Sequence, residues 1–152
     1  METSRKKTGK IVFWLSILMY FISSLTILFM PFGSFEPDGN ILLAYILAGV
    51  FWLFFILGIV FFLILNRLRK KDITFARTGA IGLLRFFRNI PAGVFDTLLI
   101  IGIAALIVSL LIIRTLPEIT TLAGTFTTVF SLEMHCMLNG KNYEWLFGKL
   151  TG

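Results

Sequence analysis

The chain has few of the residues on which most enzyme and metal sites depend. Its 152 residues include one Cys, one His and eight acidic side chains. A single thiol, Cys136, excludes a disulfide within the chain, and no Cys/His spacing matches a structural metal site. The lone His has no helical partners for a nucleophile–base–orienter triad, and phosphate-binding or metalloprotease motifs are missing. The sequence therefore predicts a non-enzymatic protein without a cofactor or a metal.

Charged residues are scarce as well. They make up 14% of the chain, against about a quarter in soluble domains, while hydrophobic residues reach 57%. The net charge of +6 does not indicate nucleic-acid binding, because Lys and Arg lie at the ends of apolar runs. There they act as topology signals and as contacts for anionic lipid headgroups. We therefore expect the lipid bilayer, and no nucleic acid, as the partner.

Four apolar runs predict a single all-α domain, a four-helix transmembrane bundle. The spans are expected at residues 11–30, 41–65, 97–113 and 119–138. At about 1.5 Å per residue the first covers the roughly 30 Å hydrocarbon core. It exceeds the apolar core of a signal peptide and no cleavage site follows it, so we interpret it as a retained anchor. Its polar positions are Ser16, Ser23 and Ser24. Each can hydrogen-bond its own helix backbone, so we interpret them as polar residues tolerated in the span.

The distribution of positive charge predicts the orientation. Lys and Arg lie in segment 1–10, in a basic loop at residues 66–96 and in a tail at residues 139–152, with Arg114 the one exception. Excess positive charge holds short loops in the cytoplasm, so both termini are predicted to be cytoplasmic. The compact loops favour a prokaryotic plasma membrane.

Part of the basic loop has helical periodicity. Over residues 76–90 most apolar side chains fall within an arc of about 160°, with Arg77, Arg85 and Arg88 opposite. This pattern predicts an amphipathic interfacial helix between spans 2 and 3, whose arginines contact lipid headgroups. Pro91 is expected to end it. We favour an ordinary membrane-surface connector as the role of this helix. A partner-binding or lipid-sensing helix is the alternative.

Small and polar side chains recur at spacings of three and four in the last two spans. The third span has a small-residue seam of Gly102, Ala105 and Ser109. The fourth span has a polar face of Thr121, Gly124, Thr128 and Ser131. A short turn makes these spans antiparallel neighbours, so the seam is predicted to receive the polar face by close packing and hydroxyl bonds. A polar pathway or a small-ligand cleft is the alternative.

Glu133 and His135 are the ionisable side chains inside a predicted span, which makes them candidates for an ion or proton site. Two residues apart, they are separated by about 200° around a helix and cannot chelate one metal together. Glu133 shares a face better with Cys136, and His135 with Asn139. Structural pairing and proton or cation handling are both open interpretations. Cys136 is interpreted as a packing residue, with acylation as the alternative.

These observations leave three function hypotheses. The first is a small polytopic protein that acts by helix packing, as an accessory, regulatory or immunity-type subunit of a larger membrane complex or as a homo-oligomer. The second is a small proton- or cation-coupled transporter or channel that uses Glu133 beside the polar face of span 4. The third is a membrane enzyme acting on lipid headgroups through His135, Glu133 and the loop arginines.

Overall fold

The computed structural model describes residues 2–33, 39–69, 85–111 and 118–148. The helices are α1 (Glu2–Phe29), α2 (Ile41–Arg69), α3 (Ile90–Leu111), α4 (Glu118–Leu138) and α5 (Lys141–Phe147), with a 3-10 turn at Met30–Phe32. No strand occurs within these ranges, and the predicted all-α class is confirmed.

Three of these helices are long and apolar enough to cross a membrane. The qualifying segments are Thr3–Phe32, Ile41–Arg69 and Ile90–Ser109. They indicate a membrane protein with a helical bundle. α4 is 21 residues long and packs along α3, and its crossing of the membrane stays a prediction.

The helices pack as two hairpins. α1 packs along α2, α3 packs along α4, and a contact between α1 and α4 joins the pairs. Arg5, near the start of α1, donates a 2.7 Å hydrogen bond to the carbonyl of Leu68 at the end of α2. The first hairpin is therefore antiparallel. α5 lies beside the same part of α1, since Trp145 reaches the backbone at Gly9.

One end of the bundle collects the positive charge. The start of α1, the end of α2, the start of α3 and the end of α4 all lie there, together with α5. We call this the basic end, and its described basic residues include Arg5, Lys10, Arg67, Arg69, Arg88 and Lys141. The predicted clustering of basic segments is thus reflected in the packing of the helices.

The third helix begins at Ile90, seven residues before the span predicted at residues 97–113. Asn89 Oδ1 accepts the backbone N–H of Ala92 at 2.8 Å, which is the geometry of a helix N-cap. Pro91 lies in the first turn, where a missing N–H costs nothing and the fixed φ suits a helix. The proline therefore starts a helix instead of ending one. As a consequence, Asp96 lies inside α3 and not in a loop.

The predicted interfacial helix is wrong over residues 85–89, whose backbone is irregular. Phe87 has a φ of 55°, a left-handed conformation that a right-handed helix excludes. Arg85 is half-buried and Arg88 is exposed. Residues 76–84 of that segment, including Arg77, lie outside the described residues.

Candidate functional site

Asp96 is the centre of a buried polar cluster at the basic end. Its side chain is fully buried. Oδ1 lies 2.7 Å from Nδ1 of His135 and accepts a hydrogen bond from Nδ2 of Asn139 at 2.9 Å. Oδ2 accepts the backbone N–H of Phe87 at 2.6 Å and a longer bond from Asn139 at 3.1 Å. We call Asp96, His135, Asn139 and the Phe87 amide the Asp96 cluster.

The segment before α3 closes over this cluster. The Phe86 ring lies 4.4 Å from the His135 ring, centroid to centroid. The Arg88 N–H donates to Oδ1 of Asn139 at 3.2 Å, and Nδ2 of Asn89 donates to the Leu138 carbonyl at 2.9 Å. That last bond satisfies one of the carbonyls that a helix end leaves without a partner. Residues 85–89 therefore fasten the start of α3 to the end of α4.

The sequence pattern identified two of the four members of this cluster, His135 and Asn139. The spacing of four places His135 and Asn139 on one face, and in the structure both contact Asp96. Asp96 itself was missed, because its helix was predicted to begin after it. The signal was present in Asn89 and Pro91, an N-cap residue followed by a first-turn proline.

Glu133 faces a different neighbour from His135, as their separation around the helix requires. Its Oε2 accepts a hydrogen bond from Oγ of Ser24 at 2.7 Å, so it lies where α1 meets α4. Tyr20 and Cys136 are close enough to interact with it electrostatically. Within the described residues, Oε1 of Glu133 is buried without a hydrogen-bond partner.

Ion-binding residues are not clustered in the part of the chain that the structure describes. It contains no group of three or more His, Cys, Asp or Glu side chains that could hold a metal. Glu133 and His135 contact different partners. One carboxylate oxygen of Glu133 accepts a hydrogen bond from the Ser24 hydroxyl, and His135 belongs to the Asp96 cluster.

The polar face of α4 lies against α3. A Cβ added at Gly102 would come within 2.5 Å of the Thr128 hydroxyl oxygen, so only a glycine allows this approach. Further along, the hydroxyl oxygens of Ser109 and Thr121 are 3.5 Å apart. Such contacts are the close packing and hydroxyl bonding that join helices in lipid.

One member of the predicted seam, Ala105, lies apart from those contacts. Ala105 is on the exposed side of α3, and Leu106 packs near Gly124 in its place. The inward positions of α3 therefore follow spacings of four and three from Gly102. Ser131 is buried on α4, in line with the rest of the polar face.

The serines of α1 bond to neighbouring helices instead of their own helix backbone. Ser16 donates to the Gly58 carbonyl at 2.9 Å and Ser23 to the Phe51 carbonyl at 3.1 Å. A Cβ at Gly58 would lie 2.6 Å from the Tyr20 ring. Because this glycine lets the two helices approach closely, the carbonyls of α2 come within reach of short hydroxyl side chains.

A second polar contact fixes α5 at the basic end. Nδ2 of Asn142 donates to Oδ1 of Asn66 at 2.7 Å, and Nε of Arg69 donates to Oδ1 of Asn142 at 2.7 Å. Both Asn66 and Asn142 are buried. These residues were predicted to lie in a loop and a tail, and the structure makes them the joint between α2 and α5.

No family model, curated protein or solved structure matches this chain. A function must therefore be inferred from the contacts of the chain itself. Those contacts direct the polar side chains described above toward other parts of the same molecule.

Proposed function

We propose that this chain is a small polytopic membrane protein that acts by helix packing. It would serve as an accessory, regulatory or immunity-type subunit of a larger membrane assembly, or associate with copies of itself. In this proposal it crosses a prokaryotic plasma membrane four times, with the basic end in the cytoplasm. The clustering of basic residues at one end of the bundle supports that orientation, because the cytoplasmic side retains Lys and Arg.

The observation that carries the proposal is the contrast between the interior and the surface of the bundle. The buried carboxyl group of Asp96 is bonded by three groups of the same chain. The side chains of α2, in contrast, are largely apolar and turned outward. Ligand sites in helical bundles are built from inward polar groups, and in the Asp96 cluster those groups are hydrogen-bonded to each other. An outward apolar helix is suited to contact another helix.

α2 offers a long outward surface for such a contact. It packs on α1, the 3-10 turn and α5, and most of its 29 residues are at least partly exposed. Alternating spacings of four and three relate a set of exposed positions: Leu42, Ile46, Gly49, Leu53, Ile56 and Val60. This is the spacing of a helix–helix seam. A Cβ at Gly49 would meet nothing within 4 Å, so that point of the seam is open to a close neighbour.

Cysteine crosslinking in native membranes tests the proposal. Leu53→Cys, in a Cys136→Ser background, places a thiol on the α2 seam. Ile100→Cys places one on the exposed side of α3 as a matched control, since the two side chains are 57% and 51% exposed. We expect a photocrosslinker attached to the thiol through a maleimide to give one defined protein adduct from position 53 and none from position 100. Equal adducts from both positions, or a monodisperse monomer without any adduct, would contradict the proposal.

A second candidate, a proton- or cation-coupled transporter, is favoured by one observation. Oε1 of Glu133 is buried and has no hydrogen-bond partner among the described residues, and intramembrane carboxyl groups of this kind mark ion pathways. In proteoliposomes with an internal pH dye, this function requires Glu133→Gln to abolish proton flux. Glu144→Gln, at a half-buried position on α5, is the control. Equal flux in both variants and in the unmodified chain would remove the candidate.

A further inference from the structure

An apolar cleft opens between α1 and α3 near the basic end. Its volume is about 240 Å³, larger than the roughly 150 Å³ apolar cavity that holds a benzene molecule. α4 forms its back wall. The lining includes Phe13, Trp14 and Ile17 of α1, Pro91 and Phe95 of α3, and Phe147 of α5. The cleft is therefore suited to a flexible hydrocarbon and offers little to a polar ligand.

Positive charge lies at the edge of this cleft. Nζ of Lys10 is 5.4 Å from the centroid of the Phe147 ring, a distance at which an ammonium group is attracted to the ring face. Lys10 is also one helical turn before Trp14. On the α3 side, exposed Arg88 precedes Pro91 by three residues. The apolar cleft thus continues into a cationic border.

We propose that the cleft binds one acyl chain of an anionic phospholipid, whose phosphate is held beside Lys10. The hydrocarbon needs no polar partner in the cleft, and a basic side chain close to the membrane surface attracts an anionic headgroup. Trp14 is 60% exposed and lies next to this border, where tryptophan is enriched in membrane proteins. The site does not depend on the function proposed above, since a subunit and a transporter could both carry it.

Two tryptophans of similar exposure allow a test within one chain. Trp14 lies at the cleft, and Trp52, which is 58% exposed, lies on α2 and reports ordinary lipid. Variants that keep one of them are Trp52→Phe with Trp145→Phe, and Trp14→Phe with Trp145→Phe. Each is reconstituted in vesicles that contain either phosphatidylglycerol or phosphatidylcholine with brominated acyl chains, which quench tryptophan fluorescence on contact. Using the same bromine positions in both lipids cancels the difference in depth.

We expect brominated phosphatidylglycerol to quench Trp14 more strongly than brominated phosphatidylcholine, by up to about fivefold in relative binding for one basic residue near the headgroup. Trp52 should be quenched equally by the two lipids. Equal quenching of Trp14 by the two lipids would overturn the proposal, because it would show that Trp14 contacts only the non-selective lipid around the bundle. Quenching of Trp52 but not of Trp14 would also overturn it, because a protein segment would then fill the cleft.

Charge variants identify the headgroup contact. In Lys10→Gln, the ratio of Trp14 quenching by brominated phosphatidylglycerol to quenching by brominated phosphatidylcholine should fall close to the ratio for Trp52. Lys10→Arg should keep the preference of Trp14 for phosphatidylglycerol. Arg67→Gln removes an exposed charge at the same end of the bundle but on α2, and should leave the ratio unchanged. A preference that survives Lys10→Gln, or that falls equally in Arg67→Gln, would refute the role of Lys10.

Discussion

The two hairpins of this bundle are held together in different ways. Along α1 and α2, Ser16 and Ser23 bond to separate backbone carbonyls at well-spaced points. Between α3 and α4, the shortest polar contacts converge on one buried carboxyl group, that of Asp96, at the basic end. Each neutral hydroxyl bond between helices in lipid contributes little to the free energy of unfolding. Removing one partner of a buried contact to a carboxyl group, in contrast, is strongly destabilising. The second hairpin should therefore be the more vulnerable to a single substitution.

The largest expected effect is that of Asp96→Ala. The change leaves the Phe87 N–H and the side chains of His135 and Asn139 without their shared acceptor. We expect a loss of about 3 kcal/mol in the free energy of unfolding. An SDS unfolding titration in mixed micelles measures it.

Thr97→Ala is the matched control for that change. Thr97 is adjacent in the sequence and exposed, and its hydroxyl donates to the Gly93 carbonyl of its own helix. The free energy of unfolding of Thr97→Ala should stay within about 0.5 kcal/mol of that of the unmodified chain. If Asp96→Ala and Thr97→Ala unfolded at the same SDS fraction, the contrast between the hairpins would be lost.

Glycine substitutions should have intermediate effects in both hairpins. A Cβ at Gly58 would lie 2.6 Å from the Tyr20 ring, and one at Gly102 would lie 2.5 Å from the Thr128 hydroxyl. Gly58→Ala and Gly102→Ala should each cost about 1–3 kcal/mol, because packed side chains or helices must shift. The same titration measures both variants.

Gly49→Ala separates this packing effect from helix propensity. Nothing lies within 4 Å of a Cβ at Gly49, and alanine favours a helix by up to about 1 kcal/mol over glycine. This variant should therefore be as stable as the unmodified chain or slightly more so. If Gly49→Ala lost as much stability as Gly58→Ala, close helix approach would not be the cause of the destabilisation at Gly58.

The smallest effects are expected for Ser16→Ala and Ser23→Ala. Each removes one hydroxyl bond to a carbonyl of α2, which in membrane bundles averages about 0.6 kcal/mol. The double variant should lose about the sum, because the two sites are distant from each other. Thr8→Ala, which removes an exposed hydroxyl bonded within α1, is the reference. A loss for either serine as large as that of Asp96→Ala would contradict the distributed arrangement.

Sequence periodicity was sufficient for the features that depend on one helix alone. Apolar runs identify the long helices, and the spacings of three and four place Thr121, Gly124 and Thr128 on one face of α4. Separation around a helix also explains why Glu133 and His135 contact different neighbours. Each of these features follows from the 3.6-residue repeat without knowledge of the partner helix.

Features that depend on pairing between distant segments could not be predicted in the same way. A serine cannot indicate from its own position whether its hydroxyl reaches its own helix or the backbone of another one. Asp96 was assigned to a loop because Pro91 was interpreted as a helix end, although prolines also occupy first turns. The Asn66–Asn142 contact joins residues 76 positions apart, and no local pattern connects them.

The sidedness of Thr8 and Lys141 tests the central claim, that four crossings place the basic end in the cytoplasm. Single cysteines at these positions, in a Cys136→Ser background, are labelled with a membrane-impermeant maleimide in right-side-out and inverted vesicles. Phe32→Cys, on the exposed 3-10 turn, marks the opposite side. We expect Thr8→Cys and Lys141→Cys to react only in inverted vesicles and Phe32→Cys only in right-side-out ones. Reaction of Thr8→Cys and Lys141→Cys from opposite sides would show an odd number of crossings and contradict the account.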